Sequence, residues 1–388
     1  MSDAESLLGG RNPEEFLREY WQKKPLLIRG ALPGFTSPVT PEELANLACE
    51  EEVESRLILE RGGDYPWQLR HGPFEEDDFP ALPETHWSLL VQEVDRWVPE
   101  VADLLDRFSF IPNWRIDDVM VSYAPDAGSV GAHVDNYDVF LLQGLGRREW
   151  RIGTSPIDEE DLVPDLDVSM LSEFEPDATW ILEPGDMLYL PPRLPHHGIA
   201  IGDCMTFSIG FRAPSREEVL AGFINQVLEE IDPLERYSDG DLKPQDEPGL
   251  ISRSSLDTIR AFISDSIREE EIDTWFGRFV TEPKRADLVH TSERDWTGRE
   301  LAQSVGAGAS LERVAPKRMA FIRHDSGEVS LFAQGEEYLL DPDLAYAAPL
   351  LCGSDRLTAE TLHDQLRDRD FSELLADLVN SGHLEISD

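Results

Sequence analysis

The chain has 388 residues, 40% of them hydrophobic, and its 78 acidic and 34 basic residues give a formal net charge of −44. This length predicts roughly two or three domains, and the charge disfavours nucleic acid and anionic membranes as partners, because both attract basic surfaces. No apolar run approaches the roughly 20 residues that span a bilayer, and the N-terminus lacks the basic and apolar segments of a signal peptide.

The first hundred residues mix short helices and short strands. Asn12 is a predicted N-cap, with Pro13 at the first helical position and Glu15 completing a capping box, and Pro41 opens a second short helix. The runs LLIRG, RLILE and WQLR have the apolar, branched character of strands. Residues 90–108 follow an amphipathic pattern, which predicts a helix there.

Between residues 114 and 211 the pattern changes to short apolar or alternating runs separated by turns, which is typical of a β-sandwich or a small barrel. Turns are predicted at residues 125–128, 144–146 and 183–186, where glycine, proline or aspartate clusters. The predicted strands are WRIDDVMVSYA, AHVDNYDVFLLQG, REWRIG, TWILE, DMLYLPP, HGIAIG and MTFSIGFR.

The chain after residue 213 is predicted to be helical at first. A capping box at Ser215 and Glu218 starts a helix that runs to about residue 231, and residues 232–250 have the composition of a linker. Apolar residues then recur on one helical stripe, which predicts either a core or an interface between two chains. A hairpin around residues 325–327, helices at about 358–367 and 371–380 and a final strand indicate a winged-helix shape.

The segment AHVDNYDVF places a histidine and a carboxylate two residues apart in a strand-like run. In an extended chain His133 and Asp135 point to the same face, because side chains alternate with a period of two. Either this is the polar face of a half-exposed strand, or the two residues are metal ligands that need a third.

A third ligand is available in PPRLPHHG, a proline-rich turn at residues 191–198. Prolines fix φ, so a histidine in this turn loses little freedom when it is ordered. Two histidines and one carboxylate form the facial triad of non-haem Fe(II) oxygenases, which leaves open positions for a cosubstrate and O₂. HxD followed by PHxG in a β-rich block therefore predicts such a site, with His196 and His197 both available.

The runs KKPLLIRG, AHVDNYDVFLLQGLGRREWRIG, EPGDMLYLPPRLPHHG and FSIGFRAP resemble the JmjC group of 2-oxoglutarate oxygenases, and within it the bacterial ribosomal oxygenases. The resemblance covers most of residues 10–214, and the order of the later segments extends it along the chain. It implies an α+β protein with a double-stranded β-helix (a JmjC or cupin-like barrel) in residues 1–213. A helical dimerisation region with a linker would follow in 214–280, and a winged-helix-like domain in 281–388.

The resemblance also implies which residues hold the metal and its cosubstrate. His133, Asp135 and His196 match the Fe(II) ligands, and the family pattern PPxxPHxG leaves His197 as the variable position. The implied cosubstrates are 2-oxoglutarate and O₂, and Ser122 is a further candidate for a hydrogen bond to 2-oxoglutarate.

An arginine is expected to bind the distal carboxylate of 2-oxoglutarate, because a guanidinium forms a bidentate pair with a carboxylate. The candidates are Arg147, Arg148 and Arg151. Positions 148, 150 and 152 share a face and read Arg, Trp, Ile, whereas positions 147, 149 and 151 read Arg, Glu, Arg, a solvated face. Arg148 is therefore predicted to point inward, and the resemblance places the cosubstrate-binding Arg or Lys there as well.

The implied reaction is hydroxylation of an arginine in a large-subunit ribosomal protein (the L-sixteen protein), with release of succinate and CO₂. Relatives hydroxylate histidines in other ribosomal proteins. Asp118 is predicted to face the barrel, where an unpaired carboxylate is costly, so it either binds the substrate guanidinium or pairs with a local arginine such as Arg115 or Arg212. Tyr137 and Ser208 are further candidates for the substrate pocket, and Tyr137 could equally belong to the core.

A basic ribosomal protein would suit the acidity of the chain, although adaptation to salt explains that acidity as well. The expected assembly is a homodimer, with no direct DNA binding and no membrane partner. Three distant cysteines without a CxxC pattern indicate the cytoplasm and argue against a disulfide framework or a structural zinc site.

The alternatives to an arginine hydroxylase are a ribosomal protein histidine hydroxylase, a metal-dependent cupin enzyme acting on a small molecule, and an acidic scaffold that docks basic ribosomal proteins.

Overall fold

A computed structural model of the protein describes residues 3–60, 67–157, 162–163, 169–292, 294–314, 318–354, 356–362 and 364–387. The chain divides into two units, Met1–Ala213 and Pro214–Asp388. Within the described ranges, no helix combines the length and the apolar character needed to cross a membrane.

Short helices precede and interrupt the strands of the first unit. The Asn12 side chain accepts a hydrogen bond from the Glu15 backbone N–H at 2.8 Å, and a capping box at Thr40 precedes Pro41, so both predicted helix starts are confirmed. In chain order the elements are α1 (Asp3–Leu7), α2 (Pro13–Glu19), β1 (Leu26–Ile28), α3 (Pro41–Leu47), β2 (Ser55–Glu60), β3 (Trp67–His71), β4 (Trp87–Val91), α4 (Val94–Trp97), α5 (Pro99–Ala102), β5 (Ile116–Ala124), β6 (Asp138–Ile152), β7 (Ala178–Leu182), β8 (Met187–Leu190) and β9 (His196–Phe211).

These strands form one antiparallel sheet with the order β1-β8-β6-β9-β5-β4-β2-β3, and β7 also pairs with β6. The long strands β6 and β9 pair along most of their length. Phe16 of α2 packs against Phe140 of β6 and Tyr189 of β8, with ring centroids 5.6 and 5.0 Å away. Burial of each such ring contributes about 1.5–3 kcal/mol, so this aromatic core fixes the sheet that carries the site.

Two strands are continuous where the sequence predicts breaks. Residues 144–146, predicted as a turn, lie inside β6, where the register with β9 shifts on both sides of Leu145. Bulges of this kind add residues without ending a strand. Glycine is required at one of them because Gly146 has a φ of +60° and a Cβ there would collide with the Asp203 carbonyl. HGIAIG and MTFSIGFR likewise form the single strand β9.

The helix predicted over residues 90–108 is wrong. The beginning of this segment belongs to β4, which pairs with both β2 and β5, and the remainder is α4, α5 and a short 3₁₀ turn at Leu105–Phe108. Glu93 adopts a left-handed conformation (φ 50°, ψ 38°) and Pro99 lacks a backbone N–H, so a continuous helix cannot pass through either position.

The second unit consists of helices and two small sheets. The predicted capping box is confirmed, since Ser215 Oγ accepts from the Glu218 N–H at 3.1 Å and the Glu218 carboxylate accepts from the Ser215 N–H at 2.6 Å. The elements are α6 (Arg216–Glu230), α7 (Arg253–Asp265), α8 (Glu269–Thr281), α9 (Gly298–Ala307), β10 (Ser310–Arg313), β11 (Ala320–Arg323), β12 (Val329–Ala333), β13 (Glu336–Leu340), α10 (Ala347–Cys352), β14 (Arg356–Leu357), α11 (Arg369–Asn380) and β15 (Leu384–Ser387).

The two sheets of this unit have the orders β14-β10-β15 and β11-β12-β13. The predicted hairpin joins β11 to β12, with the Gly327 N–H donating to His324 O at 3.0 Å. The helix predicted over residues 358–367 is wrong, because its described residues form turns that end in a 3₁₀ turn at Gln365–Arg367, and residue 363 lies outside the described residues. The helix predicted over 371–380 is confirmed as the main part of α11.

Helices α6 and α7 expose large apolar side chains along a shared groove. Leu228 of α6 and Ile263 of α7 are each 62% exposed. They border a cavity of about 580 Å³ together with Ile224, Ile231 and Phe262. Such an exposed apolar groove is unusual on the surface of a monomer.

Candidate metal and cosubstrate site

Two backbone segments that are far apart in the sequence meet at the centre of the site. His133 and His196 form an isolated antiparallel bridge, with N–H to carbonyl hydrogen bonds of 3.0 and 2.9 Å in the two directions. His133 Nε2 lies 3.9 Å from Asp135 Oδ1, and His196 Nε2 lies 3.5 Å from Asp135 Oδ2. The three side chains thus offer ligand atoms that all lie within 4.8 Å of one another, which suits a metal ion.

Asp135 reaches this cluster from a loop and not from a strand. Since β6 begins at Asp138, the strand predicted over AHVDNYDVF is wrong for its first half. Arg193 holds the loop, because its backbone N–H donates to Asp135 O at 2.7 Å and its Nη1 donates to Asn136 Oδ1 at 3.3 Å. Arg193 has a φ of +66°, which costs a non-glycine residue about 1 kcal/mol, and these contacts offset that strain.

Both histidine rings turn one nitrogen toward the backbone. His133 Nδ1 lies 3.1 Å from Gly131 O and His196 Nδ1 lies 2.9 Å from Leu194 O, so Nδ1 carries the proton in each ring and Nε2 is an acceptor. Burial, and then the neighbouring His133, lower the pKa of His196 to about 4. Near pH 7 His196 is therefore neutral, the form in which an imidazole binds a metal.

His197, the alternative third ligand, has a different partner. Its Nε2 lies 2.9 Å from Ser129 Oγ, which also accepts from the Gly131 N–H at 3.0 Å. Adjacent residues of a strand point to opposite faces, so His197 is turned away when His196 faces Asp135. Of the two, His196 is the residue whose ring reaches the carboxylate.

A cavity of about 320 Å³ opens beside the three side chains, and Arg148 of β6 lies in its wall. Arg148 is only 4% exposed, and its Nε and Nη2 atoms are buried with no hydrogen-bond partner in the described part of the chain. Because a buried guanidinium without partners is costly, these nitrogens indicate a binding site for an anion. A planar carboxylate suits them best.

Trp150 also lines this cavity, two residues after Arg148 on the same face of β6. Its ring centroid lies 5.8 Å from the Arg148 guanidinium carbon and 5.9 Å from the His196 ring centroid. Gly198 is its direct partner in β9, and a Cβ there would lie 2.7 Å from the indole. The glycine therefore provides the space in which the indole packs beside both residues.

Three of the remaining predicted pocket residues line the same cavity, namely Ser122, Tyr137 and Ser208. Ser122 Oγ lies 3.5 Å from the Thr206 carbonyl, and Ser208 is the direct cross-strand partner of Met120. Tyr137 is 36% exposed and so is not a core residue, but desolvation of its hydroxyl at the cavity, and then the carboxylates of the neighbouring aspartates, raise the pKa of that hydroxyl. The hydroxyl therefore stays protonated and can donate a hydrogen bond.

Asp118 is buried, with 6% of its surface exposed, but it does not line this cavity. Its Oδ2 accepts hydrogen bonds from Gln92 Nε2 at 3.2 Å and from the Glu93 backbone N–H at 3.1 Å, so the carboxylate is not the unpaired group that the sequence suggested. Arg115, considered as its partner, instead forms an ion pair with Asp138 at 3.0 Å. Asp118 lies close enough to Tyr137 for its charge to raise the pKa of that hydroxyl.

Arg56 and Trp150 are among the residues of the cavity wall that were not selected as site residues from the sequence. Trp150 could have been found, because it shares the inward face of β6 with Arg148. Arg56 gave no local signal, because β2 reaches the site only by pairing with β4, whose Leu90 in turn pairs with Ser122 of β5.

Comparisons with known proteins match both units. The JmjC domain family matches residues 103–219 and the ROXA-like winged helix family matches residues 261–385. The chain is 38% identical over 373 residues to the ribosomal protein uL16 3-hydroxylase of Escherichia coli, across 96% of this chain and 97% of that protein. It is also 38% identical over 291 residues to a probable ribosomal oxygenase of Haemophilus influenzae, across 72% of this chain and 71% of that protein.

A solved structure of the ribosomal oxygenase YcfD from Escherichia coli, in complex with cobalt and 2-oxoglutarate, is similar along almost the whole chain. The TM-score is 0.82 at 36% identity, and the match covers 97% of this chain and 99% of that one. These matches confirm the predicted fold class, a JmjC or cupin-like antiparallel sheet with a winged helix at the C-terminus.

Proposed function

Because this chain belongs to the JmjC-domain ribosomal oxygenases that carry a ROXA-like winged helix, we propose that it hydroxylates an arginine of the large-subunit ribosomal protein uL16 (the L-sixteen protein). The chain is a 2-oxoglutarate-dependent dioxygenase that uses Fe(II), 2-oxoglutarate and O₂. The proposal adds the specific substrate to this enzyme class. The uL16 assignment rests on the name of the Escherichia coli relative. The arginine is proposed from the family resemblance of the site.

His133, Asp135 and His196 are the proposed Fe(II) ligands. Two neutral imidazoles and one carboxylate fit Fe(II), and the backbone carbonyls that accept from each Nδ1 keep both Nε2 lone pairs available. When bound, the metal and 2-oxoglutarate supply the O₂ activation that inserts one oxygen atom into a C–H bond, with succinate and CO₂ as co-products. The chain holds these groups, excludes water from them and positions the substrate.

The observation that supports a 2-oxoglutarate enzyme most strongly is the buried Arg148 guanidinium beside the His–Asp–His cluster. Its Nε and Nη2 atoms, which have no hydrogen-bond partner among the described residues, could bind the distal carboxylate of 2-oxoglutarate as a bidentate pair. Ser122, in the same cavity wall, is proposed to donate a second hydrogen bond to the cosubstrate. A cupin enzyme for a small molecule would not need a buried arginine at this position.

The substrate arginine is proposed to enter the cavity along Tyr137 and Ser208 and to reach Asp118, which lies outside the cavity wall but near the Tyr137 hydroxyl. A guanidinium has donors only, so it needs acceptors such as the Ser208 hydroxyl and the Asp118 carboxylate, and its flat face can stack on a tyrosine ring. Asp135 and Asp118 already place negative charge near the Tyr137 hydroxyl, which favours a cation there. The overall charge of −44 would also attract a basic ribosomal protein.

The exposed apolar groove between α6 and α7 supports a homodimer as the working form. We also propose a cytoplasmic location, which is where a ribosomal substrate would be encountered. The winged helix is proposed to make protein contacts and not to bind DNA directly, because the chain is strongly acidic.

The direct test is to incubate the protein with Fe(II), 2-oxoglutarate and a set of uL16 peptides that together contain every arginine of that protein. One peptide should gain one oxygen atom, with one succinate formed per oxygen, and fragmentation should locate the oxygen on an arginine. A matched peptide with lysine in place of that arginine should stay unmodified. His133→Ala is the control for background oxidation.

The alternatives give different results in the same experiment. Oxygen found on a histidine of another ribosomal protein would replace the arginine assignment with the histidine one. Turnover of a small molecule without 2-oxoglutarate would identify a cupin enzyme instead. Binding of ribosomal proteins with neither oxygen transfer nor succinate would leave an acidic scaffold.

A further inference from the structure

A line of polar side chains crosses the sheet from β2, past the end of β4, to β5. Arg56 Nη2 donates to Gln92 Oε1 at 3.2 Å, and Gln92 Nε2 donates to Asp118 Oδ2 at 3.2 Å. We propose that Arg56 and Gln92 are positioning residues, which fix the Asp118 carboxylate for the guanidinium of the substrate. This inference rests on the proposed function, because it takes Asp118 as a partner of the substrate arginine.

Strand register places the Arg56 end of this line at the cavity, and Gln92 and Asp118 continue the line outside the cavity wall. Leu90 is directly opposite Arg56 of β2 and Ser122 of β5, and all three residues line the cavity. Gln92 follows Leu90 with the same parity. Asp118 lies within the irregular stretch of β5 between Ile116 and Val119, where the register with β9 shifts. A bulge of this kind changes the direction of a side chain, so the orientation of Asp118 needs support from outside its own strand.

The chemistry of arginine determines which way the Gln92 amide faces. A guanidinium has only donors, so it can bind the amide oxygen and not the amide nitrogen. With its oxygen held by Arg56, the Gln92 side chain must present its NH₂ group to Asp118. Without Arg56 the amide could reverse and direct its oxygen at a carboxylate oxygen, which is repulsive.

The backbone of the turn after β4 reinforces the same carboxylate. The Gln92 N–H donates to Glu54 O at 2.9 Å, and the Glu93 N–H donates to Asp118 Oδ2 at 3.1 Å. Asp95 Oδ1 accepts from the Val119 N–H at 2.7 Å, which ties the turn to β5 next to Asp118. Glu93 adopts its left-handed conformation in this turn, and these hydrogen bonds help to hold it there.

The direction in which the peptide KM changes when Arg56 is removed distinguishes a positioning role of Arg56 from a purely electrostatic one. Arg56 is a cation in the wall of a cavity that is proposed to admit another cation. If Arg56 acted only through its charge, its removal would strengthen the binding of an arginine peptide. If Arg56 acts through Gln92 on Asp118, its removal weakens that binding. The two explanations therefore predict opposite changes in KM.

The experiment uses the full chain with Fe(II), 2-oxoglutarate and the hydroxylated uL16 peptide. Arg56→Met and Gln92→Leu should each raise the KM for the peptide about tenfold, the scale of one hydrogen bond to a charged group. The kcat and the KM for 2-oxoglutarate should change little. Arg56→Lys, which keeps a donor for Gln92 Oε1, should restore most of the peptide affinity. Arg70→Met is the matched control, because Arg70 lies on the adjacent strand β3 and is bound to Asp78.

An unchanged or lower peptide KM in Arg56→Met would overturn the proposal. A rise in the KM for 2-oxoglutarate alone would overturn it as well, and would assign Arg56 to the cosubstrate. Equal rises in the KM for the peptide and in the KM for 2-oxoglutarate, together with a lower unfolding temperature, would show that Arg56 has a structural role only. A wild-type protein that hydroxylates no arginine peptide would overturn the proposed function itself, whereas the other outcomes occur in an active enzyme.

Discussion

His196 Nε2 lies 3.5 Å from Asp135 Oδ2, although the next residue along β9, His197, is hydrogen-bonded to Ser129 instead. Two adjacent histidines thus have different environments. His196 is almost fully buried and shares a carboxylate with His133, whereas His197 is held by a hydroxyl on the other side of the strand.

This difference predicts that the two histidines respond differently to removal. His196→Ala should lose Mn(II) or Co(II) binding, measured by titration calorimetry, because one of the proposed ligands is missing. His197→Ala should keep metal affinity within about threefold, since its partner Ser129 is not a ligand. Equal loss in both variants, or loss in His197→Ala alone, would contradict the ligand assignment.

A second prediction concerns the cosubstrate. Arg148→Met should weaken 2-oxoglutarate binding by about a hundredfold, because a buried charged pair is lost and the carboxylate finds no replacement donor. Binding can be measured by calorimetry in the presence of Mn(II), without turnover. Arg151→Met is the control, since Arg151 is half-exposed and bound to Glu149, and it should change the affinity little. Similar affinities for the two variants would refute the role of Arg148.

A third prediction concerns the stability of the first unit. The Tyr189 hydroxyl donates to Asp138 Oδ1 at 2.6 Å and accepts from the Gln22 N–H at 2.7 Å, and it is buried. Tyr189→Phe should lower the free energy of unfolding by about 1–3 kcal/mol, measured by urea denaturation, because the buried Asp138 carboxylate and the part-buried Gln22 N–H each lose a partner. Tyr237→Phe removes an exposed hydroxyl and should cost less than about 0.5 kcal/mol. Equal effects would mean that burial of this network is not what stabilises the unit.

A fourth prediction concerns assembly. Leu228→Glu, in the groove between α6 and α7, should convert the proposed dimer to a monomer in sedimentation experiments, because a carboxylate would be buried in an apolar interface. Leu339→Glu is the control, since Leu339 is equally exposed at 62% but lies on β13. A dimer that survives Leu228→Glu, or a wild-type protein that is already monomeric, would contradict this assignment.

The helix starts and the fold class were predictable from the sequence because their signals are local. The capping residues at Asn12 and Ser215 lie within four residues of the groups that they bind, so their chemistry can be read directly. The inward direction predicted for Arg148 rests on strand parity, which is also local, and the structure buries that side chain.

Other features depend on contacts that the local pattern does not contain. Residues 144–146 have the composition of a turn, but pairing with β9 keeps them inside β6 as bulges. The alternation of side chains along a strand predicted that His133 and Asp135 lie close together. In the structure they do lie close together, but Asp135 is in a loop that is held by Arg193. Arg56 could not be found at all, because its place in the cavity depends on how β2, β4 and β5 pair.

The proposed activity is oxygen transfer to uL16 at the His133–Asp135–His196 site. It is tested most directly by the intact mass of all ribosomal proteins from cells that carry the wild-type gene and from cells that carry His133→Ala. We expect uL16 to be lighter by one oxygen atom in the His133→Ala cells, with the difference located on one arginine, while the other ribosomal proteins keep their masses. Identical masses of uL16 in both cells would contradict it.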